Sequence, residues 1–169
     1  PFEQFAPADE QPEQRSPDRV AHQPSLVRQQ GQGQCRPGQG QLGVGGQFAL
    51  IDPIAIKEME IRPLLDTLDR LEFWMHGADY DLTMFRRTYG WVPRTVRDTQ
   101  IAARLAGHRH FGLASLVEQH FGVTLSKASQ KADWSRRPLP DKMLTYAVDD
   151  VRWLPPLVEN LKEELEEKN

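Results

Sequence analysis

From Phe48 onward the apolar residues recur at one of two periods, and each change of period marks a new element. Phe48 to Ile51 is a continuous apolar run closed by the turn pair Asp52-Pro53, which predicts a short buried strand. In KEMEIRPLLDTLDR, the residues Ile61, Leu64, Leu65 and Leu68 have helical spacing, so the stretch is predicted to be an amphipathic helix in spite of Pro63. LEFWMHG alternates, with Leu71, Phe73 and Met75 turned inward as in a strand. ADYDLTMFRRTYG returns to helical spacing through Leu82, Phe85 and Tyr89, and Gly90 is placed to close it. A third strand is expected at Thr95 to Arg97, followed by two helices, DTQIAARLAG and GLASLVEQHFG, that end at Gly107 and Gly122. Thr124 to Pro140 has no period and reads as a loop. Pro140 and Asp141 then open a final helix with Leu144, Val148, Val151, Leu154, Val158, Leu161 and Leu165 as its stripe, interrupted at Pro155-Pro156. Strands that alternate with helices predict an α/β architecture.

The segment before Phe48 has neither period. Residues 1–47 contain eleven Gln among many Gly and Pro, and so polar a stretch cannot bury enough surface to offset its ordering entropy. This segment is expected to be disordered or non-native, and residues 48–169 to form one domain. The chain of 169 residues, 38% hydrophobic, is long enough for a single core. Its one cysteine, Cys35, excludes an intrachain disulfide framework and fits a reducing compartment. No run approaches the roughly 18 apolar residues of a membrane span, and no basic-then-apolar leader opens the chain, so the cytoplasm is the expected location and no membrane partner is expected. A first residue of Pro1 in place of Met reads as a fragment or a processed chain. The net charge of −3 excludes neither nucleic acid nor any other anion as partner. Its distribution says more: residues 71–140 carry 10 Lys and Arg against 6 Asp and Glu, and residues 141–169 carry 4 against 8. A basic middle beside an acidic end suits an anionic ligand held near carboxylates. Oligomeric state is not legible.

Three places can carry chemistry. In HGADYD a strand ending in His76 delivers Asp81 into the first turn of a helix, although Asp79 or Asp81 can equally cap that helix and favour its dipole. Tyr146 and Asp150, at i and i+4, share a face away from the apolar stripe; a plain solvated face explains them as well as a site does. Lys127, Lys131, Trp134, Arg136 and Arg137 group cations around an aromatic ring in the loop, which suits phosphate and base contacts or, equally, a solvated loop with a buried indole.

Six segments together are more specific. ALIDP (49–53), HGADYDL (76–82), DTQIAARLAG (98–107), GLASLVEQHFGVTLSK (112–127), DWSRRPL (133–139) and YAVDDV (146–151) resemble, in order and spacing, the RNase D family. These are 3′→5′ exoribonucleases of the DEDD type with a tyrosine in the third motif, and the resemblance spans residues 49–161. It implies a ribonuclease H-like fold, a mixed sheet flanked by helices, with four carboxylates binding two divalent metal ions, Mg²⁺ or Mn²⁺. It implies Asp81 and Asp150 as catalytic metal ligands, Tyr146 as the group that orients the attacking water, and Asp149 as a solvent-side neighbour. Contacts to the RNA fall to His76, Lys127, Trp134, Arg136 and Arg137. The implied partners are RNA 3′ ends, single-stranded or in tRNA precursors. Hard divalent ions prefer oxygen donors, which accounts for aspartates at such a site in place of Cys or His.

One departure is serious. The family's first motif, Asp-x-Glu on the opening strand, should precede ALIDP, and no Asp-x-Glu occurs anywhere in the chain. The N-terminal strands are therefore expected to be incomplete, residues 1–47 not to be the native counterpart of that region, and activity to be impaired. The alternatives are a catalytically inactive nucleic-acid-binding relative and a DEDD-type DNA exonuclease.

Overall fold

The structure, a computed structural model, describes residues 40–44, 46–52, 55–129 and 132–168, together with two short upstream strands. Six strands form one mixed sheet: β1 Glu3–Gln4, β2 Ser25–Val27, β3 Gly40–Val44, β4 Gln47–Ile51, β5 Glu72–Met75 and β6 Thr95–Asp98, in the order β1-β4-β3-β2-β5-β6. β2, β5 and β6 run parallel, and the pairs β1 with β4, β4 with β3 and β3 with β2 are antiparallel. The helices are α1 Glu58–Leu68, α2 Asp79–Tyr89, α3 Thr99–Leu105, α4 Leu113–Phe121, α5 Asp141–Arg152 and α6 Leu154–Glu166.

Helices cover both sides of β5. Phe73 and Met75 face α1 and α2 through Leu64, Leu68, Leu82 and Phe85, whereas Trp74 faces α5 and α6 through Val151, Leu154 and Val158. The strand is thus buried on both faces, and Leu71, just outside it, is 40% exposed. Simple alternation starting at Leu71 does not describe it, because a parallel strand with helices on both sides needs apolar residues at every position. Each large side chain so buried contributes roughly 1.5–3 kcal/mol of transfer free energy. A third cluster packs α3 and α4 on α6 through Ala103, Ala106, Leu116, Leu157 and Leu161.

The predicted final helix is two helices that meet at Trp153. Pro155 and Pro156 occupy the first turn of α6, where a missing N–H removes no helical hydrogen bond, so the break falls just before them. On α5 the buried positions are Met143, Ala147 and Val151, at i, i+4 and i+8, and Leu144 and Val148 are half-buried. Gly90 and Gly122 close α2 and α4 in the left-handed conformation, at φ 60° and 68°, and Gly107, at φ 90°, directly follows Ala106, the cap residue of α3.

Order also begins earlier than residue 47. β3 pairs with β4 along its whole length, from Gly40 opposite Ile51 to Val44 opposite Gln47. Glycines hide this strand from a periodicity reading and yet fit it: a Cβ at Gly43 would sit 3.3 Å from the Phe48 ring. The opening strands are short, with two, three and five residues, but β2 fills the place between β3 and β5, so β5 is not an edge. The rest of the segment expected to be disordered, Cys35 included, lies outside the described residues. Among the described residues no helix is long and apolar enough to cross a membrane.

Candidate active site

β5 ends at Met75, and His76-Gly77-Ala78 turns the chain into α2. One carboxylate holds this turn. Asp98 accepts hydrogen bonds from the backbone N–H of Gly77 (3.0 Å), Ala78 (2.8 Å) and Gln100 (2.7 Å), so it caps α3 while gripping the entry to α2. Gly77 is there because φ is +65°, a conformation that L side chains resist. The Thr99 hydroxyl donates to the Met75 carbonyl (3.0 Å), which leaves its oxygen to accept from His76 Nδ1 (2.9 Å). With the proton on Nδ1, the His76 Nε2 keeps a lone pair; among the described residues it is buried without a hydrogen-bond partner. Burial lowers the His76 pKa to about 4 against the pull of Asp98, so the ring is neutral at ordinary pH.

Asp81 projects from the first turn of α2 and is 5% exposed, whereas Asp79 is exposed. The N-cap position is Ala78, so neither acid is the cap, though both complement the helix dipole. Tyr146 and Asp150 on α5 are half-buried, which excludes a plain solvated face. Burial first, and the Asp150 charge with it, raise the Tyr146 pKa to about 12, so the phenol keeps its proton and remains a hydrogen-bond donor. Asp149 is half-buried, with burial pushing its pKa up against the exposed Arg152, whose Nη1 lies 3.5 Å away.

The loop of cations is folded back on itself. Trp134 packs its ring on Tyr146, with centroids 6.2 Å apart, and donates Nε1–H to the Ser129 carbonyl at 3.1 Å. Arg137 grips both carboxylate oxygens of Asp52 at the end of β4, each at 2.5 Å, and its Nη1 donates to the carbonyls of Trp134 and Arg136. Its guanidinium is thus committed within the protein, and the hydrogen bond to Asp52 raises its pKa. Lys127 and Arg136 are exposed cations, and Lys131 lies outside the described residues. The structure therefore brings Trp134 to Tyr146, turns His76 inward, and leaves Lys127 and Arg136 facing solvent.

β2 is the element that relates the two acids. α5 packs over β2, β3 and β4, and a Cβ at Gly43 would lie 3.8 Å from Val151 Cβ, so Gly43 faces α5. Ser25 and Val27 pair with Gly43 and Gln41. Asp150, next to Val151, thus rides on a helix that crosses β2, while Asp81 leaves the end of β5, the parallel neighbour of β2. β2, which lies between β3 and β5, carries Ser25-Leu26-Val27 and no carboxylate. The donors fit hard cations in kind but fall short in number. Among the described residues neither Asp81 nor Asp150 belongs to a group of three or more His, Cys, Asp or Glu side chains with ligand atoms within 4.8 Å of one another. Gln41 on β3 is fully buried there, and its side-chain amide has no partner among the described residues.

Sequence reasoning missed Asp98 and Asp52. An Asp directly before TQIAARL is a helix-cap signal, which marks Asp98 as structured but not as a clamp on a turn 20 residues away. Nothing local marks Asp52 as the partner of Arg137.

A mixed sheet covered on both faces by helices, with acids delivered from the end of a central strand and from a crossing helix, defines a nuclease core of the ribonuclease H-like class. The 3'-5' exonuclease family profile matches residues 36–166, and the chain belongs to that family. It is 39% identical over 131 residues to the ribonuclease D of Xanthomonas oryzae pv. oryzae and 37% over 128 residues to that of Cronobacter turicensis, matches that take in 76% and 75% of this chain. The chain spans about a third of the length of these curated relatives, 36% and 35%. The crystal structure of Escherichia coli RNase D, described as an exoribonuclease involved in structured RNA processing, superposes with a TM-score of 0.74 at 34% identity, over 86% of this chain and 40% of that one. The fold is the DEDD exonuclease fold.

Proposed function

We propose that this chain is the nuclease domain of an RNase D-type 3′→5′ exoribonuclease, acting on RNA 3′ ends, single-stranded or in tRNA precursors, with its rate reduced by the missing Asp-x-Glu pair. The observation that carries this reading is the coupling of Tyr146 to Asp150 on one face of α5, a protonated phenol beside a carboxylate. A phenol held with its proton at working pH can hold an attacking water in line without competing for its proton. Asp81 and Asp150 are the residues to hold divalent ions, Mg²⁺ or Mn²⁺, which when bound lower the pKa of water and stabilise a leaving oxygen. Two carboxylates in place of four account for the reduced rate. Lys127 and Arg136 are the cations available to phosphates. Trp134 supports Tyr146 from the loop side.

A second reading, a catalytically inactive relative that binds nucleic acid, is favoured by the absence of any carboxylate in Ser25-Leu26-Val27. End-labelled single-stranded RNA and DNA of one sequence, incubated with Mg²⁺ or Mn²⁺, separate the two. The first reading expects slow stepwise shortening of RNA from its 3′ end, abolished in Asp150→Asn and slowed about 10²-fold in Tyr146→Phe. RNA that is bound but never shortened defeats it in favour of the second, and preferential shortening of DNA moves the assignment to a DNA exonuclease.

A further inference from the structure

We infer that His108, His120 and Glu164 form a transition-metal site, of a kind suited to Zn²⁺, where the α3–α4 loop, α4 and α6 meet. Among the described residues these are the only three or more His, Cys, Asp or Glu side chains whose ligand atoms lie within 4.8 Å of one another. His108 Nε2 is 2.7 Å from Glu164 Oε2, and His120 Nε2 is 3.6 Å from Glu164 Oε1, so one carboxylate faces two imidazoles. Both imidazoles are buried, at 7% and 9% side-chain exposure, and Glu164 is 32% exposed.

The second observation is an orphan atom. His120 Nε2 is buried and, among the described residues, has no hydrogen-bond partner; it lies 3.6 Å from Glu164 Oε1, beyond hydrogen-bonding distance. A cation held between His120 Nε2 and Glu164 Oε1 would give both atoms a partner.

The outer partners fit as well. A histidine that ligates through Nε2 carries its proton on Nδ1 and donates it onward. Gln119 Oε1 lies 3.4 Å from His108 Nδ1, and the Asn160 side-chain amide lies 3.4 Å from His120 Nδ1. Turning that amide over presents its oxygen to the Nδ1–H, since the two ends of an amide are assigned from the hydrogen-bond network. Tetrahedral coordination with bonds of about 2.0–2.2 Å needs ligand atoms roughly 3.3 Å apart, and the spacings here bracket that value. Two imidazoles and one carboxylate suit Zn²⁺ and its neighbours in the transition series, not Mg²⁺, and leave a fourth position for water on the exposed side of Glu164. Such an ion would tie the loop and α4 to α6 over the cluster of Ala103, Ala106, Leu116 and Leu161.

The test uses the untagged full chain, loaded with Zn²⁺ and desalted in excess Mg²⁺ so that the carboxylates near β2 do not compete. About one equivalent of zinc should remain on the wild type and on Asp150→Asn, and less than about a tenth of that on His120→Ala and Glu164→Gln. Zinc should raise the wild-type Tm by roughly 5 °C or more and leave that of His120→Ala unmoved. Wild type that retains no zinc overturns the assignment without reference to any variant. So does equal retention by the wild type and a folded His108→Gln or His120→Ala, or loss of the zinc in Asp150→Asn.

Discussion

Arg137 and Asp52, 85 residues apart in the chain, meet through two parallel hydrogen bonds of 2.5 Å, Nε to Oδ2 and Nη2 to Oδ1. This fork joins the DWSRRPL loop to the end of β4 and, through the Trp134 carbonyl, sets the indole that lies on Tyr146. Paired planar geometry at partly covered side chains is worth more than an ordinary surface ion pair.

Arg137→Ala is therefore expected to lower stability by roughly 1–2 kcal/mol, read as a shift of the urea midpoint at unchanged slope. Arg137→Lys should recover less than half of the loss, because an ammonium cannot make the fork. Full recovery by lysine would mean that only charge matters at this position.

His76 predicts an acid limit to stability. Its pKa is about 4 in the folded chain and about 6.5 when unfolded, so below pH 6.5 the unfolded state takes up a proton that the folded state refuses. Stability present above pH 6.5 is lost as the pH falls toward 4, by up to roughly 3 kcal/mol. In His76→Gln this part of the pH dependence should vanish; a variant that loses stability over the same window as the wild type would assign the effect to another group.

Tyr146 predicts the opposite limb. Its pKa of about 12 lies above the ordinary value of 10, so its contribution is complete below pH 10 and is lost as the pH rises toward 12. Trp134→Ala uncovers the phenol, and phenolate absorption followed by ultraviolet difference titration should then show Tyr146 ionising nearer 10. Tyr89, also raised by burial but far along the chain from the loop, should titrate unchanged.

Periodicity located the helices from Phe48 onward because each has one clear apolar face, and the strands β4 and β5 because they are short apolar runs. It failed at β3, where Gly40 and Gly43 supply close packing against Ile51 and Phe48 without any hydrophobic signal. It failed also at Leu71, because burial of β5 on both faces erases alternation. The family was legible in ordered motifs, and Asp81, Tyr146 and Asp150 came from those motifs, not from spacing. The Arg137–Asp52 fork, the three-way grip of Asp98 and the His108–Glu164 contact across 56 residues were not legible, since they join segments whose proximity only the folded sheet creates.

The most direct measurement compares the initial rate of 3′ shortening of a single-stranded RNA by the wild type and by Ser25→Asp/Val27→Glu, which writes Asp-Leu-Glu into β2 at the two positions paired with Gly43 and Gln41. The account predicts that the double variant is faster by about 100-fold or more, and that adding Asp150→Asn removes the gain. A folded double variant with an unchanged rate, or a gain that survives Asp150→Asn, would contradict it.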